Sequence, residues 1–280
     1  NLINLYPDAE VIVVNDGSSD DTAKVAELCG AKVVTHHYSL GNGGAIKSGA
    51  RAANGEVIVF MDGDGQHQPK DIQRLLAKID EGFDMVVGAR SSESQASKGR
   101  DLANTIYNKL ATYMVNQKIH DLTSGFRAVR ANKFKEFLSL LPNGFSYPTT
   151  ITMSFFRSGY SVEYIPIVAQ KRIGQSHINL LRDGVRFLLI IFKVATLFSP
   201  LKLFVPISFA FFSLAFSYYT YTYLADGRFT NMGVLLFSTS IIIFLLGLVS
   251  EQITTLTFMQ RQHGYGEIRT SPRPDNDASV

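Results

Sequence analysis

One cysteine, Cys29, stands alone among 280 residues, which leaves no disulfide framework and no thiolate metal site. Basic and acidic side chains nearly cancel, for a formal charge of +3, and no segment interleaves a basic stripe with aromatics. Both absences exclude nucleic acid as the expected partner. Charge is also missing locally. Residues 203–225 and 229–250 are uncharged runs of 23 and 22 positions, whereas residues 1–175 mix charged and apolar side chains in the ordinary way. The chain opens without an initiator methionine or a signal peptide, and Asn1 to Pro7 reads as the tail of a helix.

The stretch around which the rest is organised runs from Glu56 to His67. Val57-Ile58-Val59-Phe60 reads as a buried strand, and it empties into Asp62-Gly63-Asp64-Gly65 at its carboxyl end. Open α/β sheets bind ligands at that end. In an extended segment Asp62 and Asp64 point the same way, roughly 7 Å apart, and a bend at Gly63 can converge them on one cation. Gln66 continues that face as a neutral oxygen donor. Hard oxygen ligands of this kind suit Mg²⁺ or Mn²⁺ carried with substrate phosphates. The bland alternative is a solvated turn made of ordinary turn formers.

Strand and helix patterns alternate from residue 11. Strands are expected at Val11 to Val14, Ala31 to Thr35, Val57 to Phe60 and Phe83 to Gly88. Helices are expected at Thr22 to Leu28, Asn42 to about Ala53 and Lys70 to Glu81, the last with Ile72, Leu75, Leu76 and Ile79 on one face. Such units predict a mostly parallel, Rossmann-like sheet covered on both faces. Further on, Asp101 to Lys118, Lys133 to Leu141 and Pro148 to Tyr160 read as helices, and His120 to Arg130 as a loop or short strand. Ser161 to Lys171 contains Pro166 and reads as an edge strand.

After residue 175 the character changes. From Ile178 to Phe198, Arg182, Arg186 and Lys193 form a narrow stripe on an otherwise apolar helix, which suits a membrane interface. Each uncharged run then exceeds the roughly 20 residues that cross about 30 Å of hydrocarbon. Only Asp226-Gly227-Arg228 separates them, so they read as a transmembrane hairpin. Positive residues before the first span and after the second place the N-terminal domain and the C-terminal tail in the cytoplasm of a multi-pass protein of the cell membrane. The expected divisions are 1–175, 176–200 for the interface helices, 201–258 for the hairpin and 259–280 for the tail, with Ser271 to Val280 disordered.

Six separated segments then agree. Val13 to Asp20, Gly41-Asn42-Gly43-Gly44-Ala45-Ile46, Asp62 to His67, Val87-Gly88-Ala89-Arg90, Asp121 to Arg127, and Arg172 to His177 resemble, in order, the motifs of family 2 glycosyltransferases. The likeness is greatest to the dolichol-phosphate mannose synthase branch and its bacterial polyprenyl-phosphate relatives. The resemblance implies a GT-A fold and transfer of a sugar from a nucleotide-diphosphate sugar to a polyprenyl phosphate, at a lipid bilayer. It implies that Asp16, Gly43, Asp62 and Arg90 serve the donor, and that Asp62, Asp64 and Gln66 hold Mg²⁺ or Mn²⁺. It also implies that Arg127, Arg172, Ser124 and Ser176 serve the acceptor phosphate, so that Asp64, Asp121, Arg127 and Arg172 are the candidate catalytic set. Asp121 is open between positioning and base roles. An acceptor phosphate is already anionic, so direct displacement with inversion requires no strong base.

The same family places a strand and a Pro-x-Tyr/Phe-Asn-Glu loop before residue 1, and the chain reads as truncated there. Lys47 reads as a surface residue of the helix opened by Gly43-Gly44, and His67 and His177 as loop hydrogen-bonders. Arg127 and Arg130 could instead be solvated surface charges. A processive polysaccharide synthase of the same broad family is disfavoured, because its Gln-x-x-Arg-Trp motif needs a tryptophan and the chain has none. A non-catalytic membrane scaffold with a nucleotide-sugar fold is the other alternative. GDP-mannose and UDP-hexoses both remain as donors, and a homo-oligomer is left open.

Overall fold

The computed structural model describes residues 2–90, 98–144, 147–168, 192–193 and 195–266. The chain divides into two units, 1–194 and 195–280, each taken by itself. Arg172, Ser176, His177 and the Arg182 and Arg186 stripe lie outside the described residues, as does the tail from Ser271.

The first unit opens with the short helix α1 (Leu2–Leu5) and the strand β1 (Ile12–Asn15). Asn15 ends β1 by accepting the Ser18 amide on its side-chain oxygen at 3.0 Å. Asp20 accepts the Thr22 amide at 3.1 Å in the turn that precedes α2 (Thr22–Leu28). The strand β2 (Lys32–Thr35) pairs with β1 in parallel, Ile12 opposite Lys32 through Asn15 opposite Thr35. Next come α3 (Asn42–Ala52), β3 (Val57–Phe60), α4 (Asp71–Asp80), β4 (Met85–Arg90), α5 (Lys98–Val115), β5 (Arg127–Arg130), α6 (Ala131–Lys135), α7 (Tyr147–Arg157) and β6 (Val162–Ile167).

The second sheet has the order β3-β5-β4-β6. Its β4–β6 pair is parallel, as alternating strand and helix units dictate, but β5 runs antiparallel to both β3 and β4. The sheet is therefore mixed, with β3, β4 and β6 running the same way and β5 against them. The register explains the reversal. Arg127, the first residue of β5, lies opposite Phe60, the last of β3, and opposite Val87 near the end of β4. The chain thus re-enters the sheet at the rim where β3 and β4 leave it, which puts residues 121–126 on that rim. β6 is an edge strand, and Pro166 within it turns its carbonyl to Arg74 Nη2 at 2.9 Å.

The amphipathic face of α4 buries Ile72, Leu75 and Ile79 against Val86, Phe126, Ala128, Ile165 and Ile167. The other face of the sheet carries Phe60 on Phe134, with ring centroids 4.7 Å apart, and Phe137 on Phe155 at 5.7 Å. Burying a side chain of this size contributes about 1.5–3 kcal/mol, so these two layers hold the rim in place. The helix expected at Lys133 to Leu141 is shorter. After Lys135 it tightens into i+3 turns, with the Phe137 amide bonded to the Phe134 carbonyl and the Leu140 amide to the Phe137 carbonyl.

The second unit contains α8 (Pro200–Asp226) and α9 (Asn231–Gly266). Both are long and apolar enough to cross a membrane by length and composition, and α9 continues beyond the run that ends at Ser250. Gly227, in the left-handed region at φ 61°, ends α8 by donating its amide to Tyr223. The helices meet through small residues. Ser208 Oγ donates to the Ser240 carbonyl at 2.9 Å and Ser240 Oγ to the Ser208 carbonyl at 3.0 Å. A Cβ on Gly247 would lie 2.7 Å from Phe204 Cβ, so only glycine permits that approach. The outward faces expose Phe209, Phe216, Leu245 and Leu246, which an aqueous surface disfavours and hydrocarbon accepts.

Candidate functional site

At the carboxyl end of β3 the chain leaves the sheet at Met61, and Asp62 is the first polar side chain beyond it, 43% exposed. Gly65, at φ 74°, permits the turn that follows, and the Gln66 amide donates to Asp64 Oδ1 at 3.2 Å. Asp62 is enclosed on two sides. His67 Nε2 lies 4.0 Å from its Oδ2. A Cβ on Gly125 would lie 2.9 Å from the same oxygen, so the carboxylate rests against the backbone of the loop between α5 and β5.

His67 was expected to hydrogen-bond within the loop. Its ring instead stacks on Phe126, with centroids 4.8 Å and planes 13° apart, and its Nδ1 has no partner among the described residues. Burial pushes its pKa down more than Asp62 and Asp64 raise it, so the imidazole is neutral.

Arg90 at the end of β4 reaches the same rim. Its Nε donates to Asp121 Oδ2 at 2.8 Å, and its Nη2 to Asp121 Oδ1 at 3.1 Å and to Thr123 Oγ1 at 2.7 Å. Asp121 also accepts the amides of Thr123 and Ser124. Burial pushes the Asp121 carboxyl up, but the Arg90 guanidinium and these amides hold it below the usual carboxylate range. Both oxygens of the ionised carboxylate are thus engaged, and they hold the Arg90 guanidinium in place. The guanidinium is 30% exposed, and among the described residues its Nη1 has no hydrogen-bond partner.

Arg127 and Ser124 correct the expectation from the motif. Arg127 is fully buried. Its Nη1 donates to the Pro148 carbonyl at 3.2 Å and to Thr152 Oγ1 at 3.1 Å, and its Nη2 to the Ser124 carbonyl. The Tyr147 ring lies 5.8 Å from the guanidinium carbon. Ser124 Oγ donates to the Gly88 carbonyl at 2.6 Å. Both side chains brace the 121–126 loop from inside and neither reaches a surface where a phosphate could sit.

Asp16 and Gly43 are likewise engaged by their own chain, at the carboxyl rim of the two-stranded sheet. Asp16 Oδ1 accepts from the Leu40 amide at 2.8 Å and pairs with His36 Nδ1 at 2.7 Å, while Oδ2 accepts Ser39 Oγ at 2.7 Å and the Gly41 amide at 2.8 Å. These four partners fill the roughly four lone-pair sites of a carboxylate. Burial raises the Asp16 pKa, yet these donors drive it far below the usual range. His36 passes the connection on to Ser48 of α3, Nε2 to Oγ at 2.8 Å. A Cβ on Gly43 would overlap the Pro142 carbonyl, so that glycine packs against residues 142–144. Lys47, expected at the surface, donates to the Leu141 carbonyl at 3.2 Å and to Asn143 Oδ1.

Among the described residues no three His, Cys, Asp or Glu gather in a metal-binding group. The donor set on the β3 rim is two carboxylates and the Gln66 amide, all hard oxygens, with no competing thiolate. That set fits an octahedral Mg²⁺ or Mn²⁺ that takes its remaining ligands from phosphate and water, and it does not fit a closed zinc site. Gly125, Tyr147, Thr123 and His36 complete these arrangements and were not singled out from sequence. Gly125 and Thr123 lie inside a recognised motif, but Tyr147 carries no local signal beyond opening a helix before Pro148.

Residues 1–138 match the family model Glycosyl transferase family 2, and residues 199–256 match GtrB C-terminal hairpin. The chain is 30% identical to a polyprenol monophosphomannose synthase of Mycolicibacterium smegmatis over 181 residues, 59% of this chain and 68% of that protein. It is 28% identical over 178 residues to a dolichyl-phosphate hexose transferase of Haloferax volcanii, 63% and 76% of the two chains. In fold it is similar to glucosyl-3-phosphoglycerate synthase from Mycobacterium tuberculosis, solved with Mn²⁺, UDP and glucosyl-3-phosphoglycerate. That match has a TM-score of 0.54 at 18% identity, over 69% of this chain and 71% of that one. With the rim of a mixed GT-A sheet and an apolar C-terminal hairpin both in place, the chain belongs to glycosyltransferase family 2.

Proposed function

We propose that the protein moves a hexose from a nucleotide-diphosphate sugar, GDP-mannose or a UDP-hexose, to a polyprenyl phosphate, with inversion at the anomeric carbon. The observation that carries this is the place of Asp62 and Asp64 just beyond β3, on the same rim as the Arg90 guanidinium that Asp121 holds ready. An anionic diphosphate needs a cation between it and the carboxylates and a donor on its far side. Asp62, Asp64 and Gln66 would hold Mg²⁺ or Mn²⁺, which supplies neutralisation of the charge growing on the leaving nucleotide. Arg90 donates from Nη1 to a phosphate oxygen, and the ion pair with Asp121 fixes the direction of that bond. Asp121 moves no proton, since the acceptor phosphate arrives as an anion.

The relatives named for polyprenol and dolichyl phosphate support the acceptor class, and the apolar hairpin α8–α9 supports delivery of such a lipid from a bilayer. Arg172 and Ser176 are the proposed grip on the acceptor phosphate. The excess of Arg and Lys outside the hairpin supports a multi-pass protein with its catalytic unit on the cytoplasmic face. The test is incubation of the full chain in membranes with labelled GDP-mannose or UDP-glucose and undecaprenyl or dolichyl phosphate, with and without a chelator. Radiolabel in a glycolipid that disappears on chelation is the expected result. No lipid-linked sugar from any donor would favour the scaffold reading.

A further inference from the structure

We infer that Gly125 and Tyr147 form a wall that fixes the Asp62 carboxylate, which makes Tyr147 a positioning residue of the metal site. The inference rests on the reading of Asp62 as a metal ligand. Tyr147 is the first residue of α7 and is 3% exposed. Its hydroxyl donates to the Gly125 carbonyl at 3.2 Å. A single point, the place of a Cβ on Gly125, lies 2.9 Å from Asp62 Oδ2 and 3.2 Å from the Tyr147 hydroxyl. Carboxylate and phenol therefore both lie against Gly125, and a methyl group there would push the Asp62 carboxylate from its place.

Both sides of the wall are tied together from beneath. Arg127 donates to the carbonyl of Ser124, just before Gly125, and to that of Pro148, just after Tyr147. His67 Nε2 also lies 4.0 Å from the same Oδ2. The enclosed oxygen is Oδ2, so the wall orients Asp62 with Oδ1 toward the ligand. A carboxylate on an exposed turn otherwise samples several rotamers, and a fixed one binds a cation more tightly. This assigns a function to the interior arginine that the phosphate role left unexplained: it stiffens the wall.

The test is Mn²⁺ binding to the full chain in detergent, followed by the electron paramagnetic resonance signal of free Mn²⁺, alone and with GDP or UDP. Gly125→Ala is expected to weaken binding about tenfold, and Tyr147→Phe by a few-fold, as orienting groups around a metal do. In the double variant the new methyl can move into the space left by the hydroxyl. Its binding is expected to be tighter than that of Gly125→Ala alone, a non-additive result that general loosening of the fold would not give. A folded Gly125→Ala with wild-type Mn²⁺ affinity overturns the wall. If that variant does not fold by circular dichroism, Tyr147→Phe with wild-type affinity overturns it instead. Absence of Mn²⁺ binding by the wild type, with or without nucleotide, overturns the metal reading and the wall with it.

Discussion

Arg90 and Asp121 meet at two points, Nε to Oδ2 at 2.8 Å and Nη2 to Oδ1 at 3.1 Å, so the guanidinium plane is fixed before any substrate arrives. The Asp121 pKa is lowered in the folded protein. Its stabilising contribution is therefore complete above the ordinary carboxylate value of about 3.9 and is lost only as pH falls through the depressed folded value. Across the neutral range nothing at this pair titrates. Asp121→Asn keeps the shape and loses the charge, and is expected to reduce stability by about 1–3 kcal/mol, less than for a fully buried pair. It should lower kcat without moving either limb of the pH–rate profile. A shifted limb would return Asp121 to the role of base.

Arg127→Ala should act on stability. It strands the Ser124 carbonyl in the interior, while the Thr152 hydroxyl keeps its own bond to the Pro148 carbonyl at 2.8 Å, at a cost of about 1–3 kcal/mol. Urea unfolding of the solubilised protein measures this, and Arg127→Lys should recover only part, since an ammonium cannot span the same three partners. The folded fraction of either variant should keep its KM for polyprenyl phosphate. Native stability with a raised acceptor KM would reinstate the phosphate contact.

Asp64→Ala removes one of two carboxylates from an exposed turn and disturbs no core packing. Transfer should fall by about two orders of magnitude or more, because loss of the metal removes several kcal/mol of charge stabilisation. The thermal midpoint should stay within about 1–2 °C, as for surface substitutions. Near-normal turnover would remove the metal from the mechanism.

Asp16→Asn separates holding from contacting. As the hub for Ser39, Leu40, Gly41 and His36, the carboxylate should contribute about 1–3 kcal/mol through its charged hydrogen bonds. Because its folded pKa is lowered, that contribution persists at all pH values above the carboxylate range. The substitution should lower the urea midpoint, expose residues 36–41 to protease, and raise donor KM together with them. A raised donor KM at unchanged stability would instead mean direct contact with the nucleotide.

Much of this architecture is legible in the residues. Thr22 to Leu28 is a helix with the expected bounds, and α4 buries the Ile72, Leu75 and Ile79 face that its periodicity marks. The Asp62 turn is legible because a run of β-branched residues stops abruptly at acids and glycines. The direction of β5 is not, since alternation along a strand is the same read either way and only pairing with Phe60 and Val87 sets it. The inward course of Arg127 is hidden for a related reason. Its acceptors Pro148 and Thr152 lie on α7, more than twenty residues along the chain, and nothing local distinguishes it from a surface arginine. Asp16 carries a recognised motif, but its saturation by Ser39, Leu40 and Gly41 depends on the return of a loop that has no pattern of its own.

The exchange of hydroxyls between Ser208 and Ser240 gives the helical hairpin a single setting. Advancing α9 by one turn in either direction would bring Leu236 or Phe244 level with Ser208, and both serines would lose their partners at once. Where no water can enter, two stranded hydroxyls act as a detent against sliding, each mutual bond contributing about 0.6 kcal/mol and at most about 1.7. A pair of otherwise slippery greasy rods thereby acquires a notch.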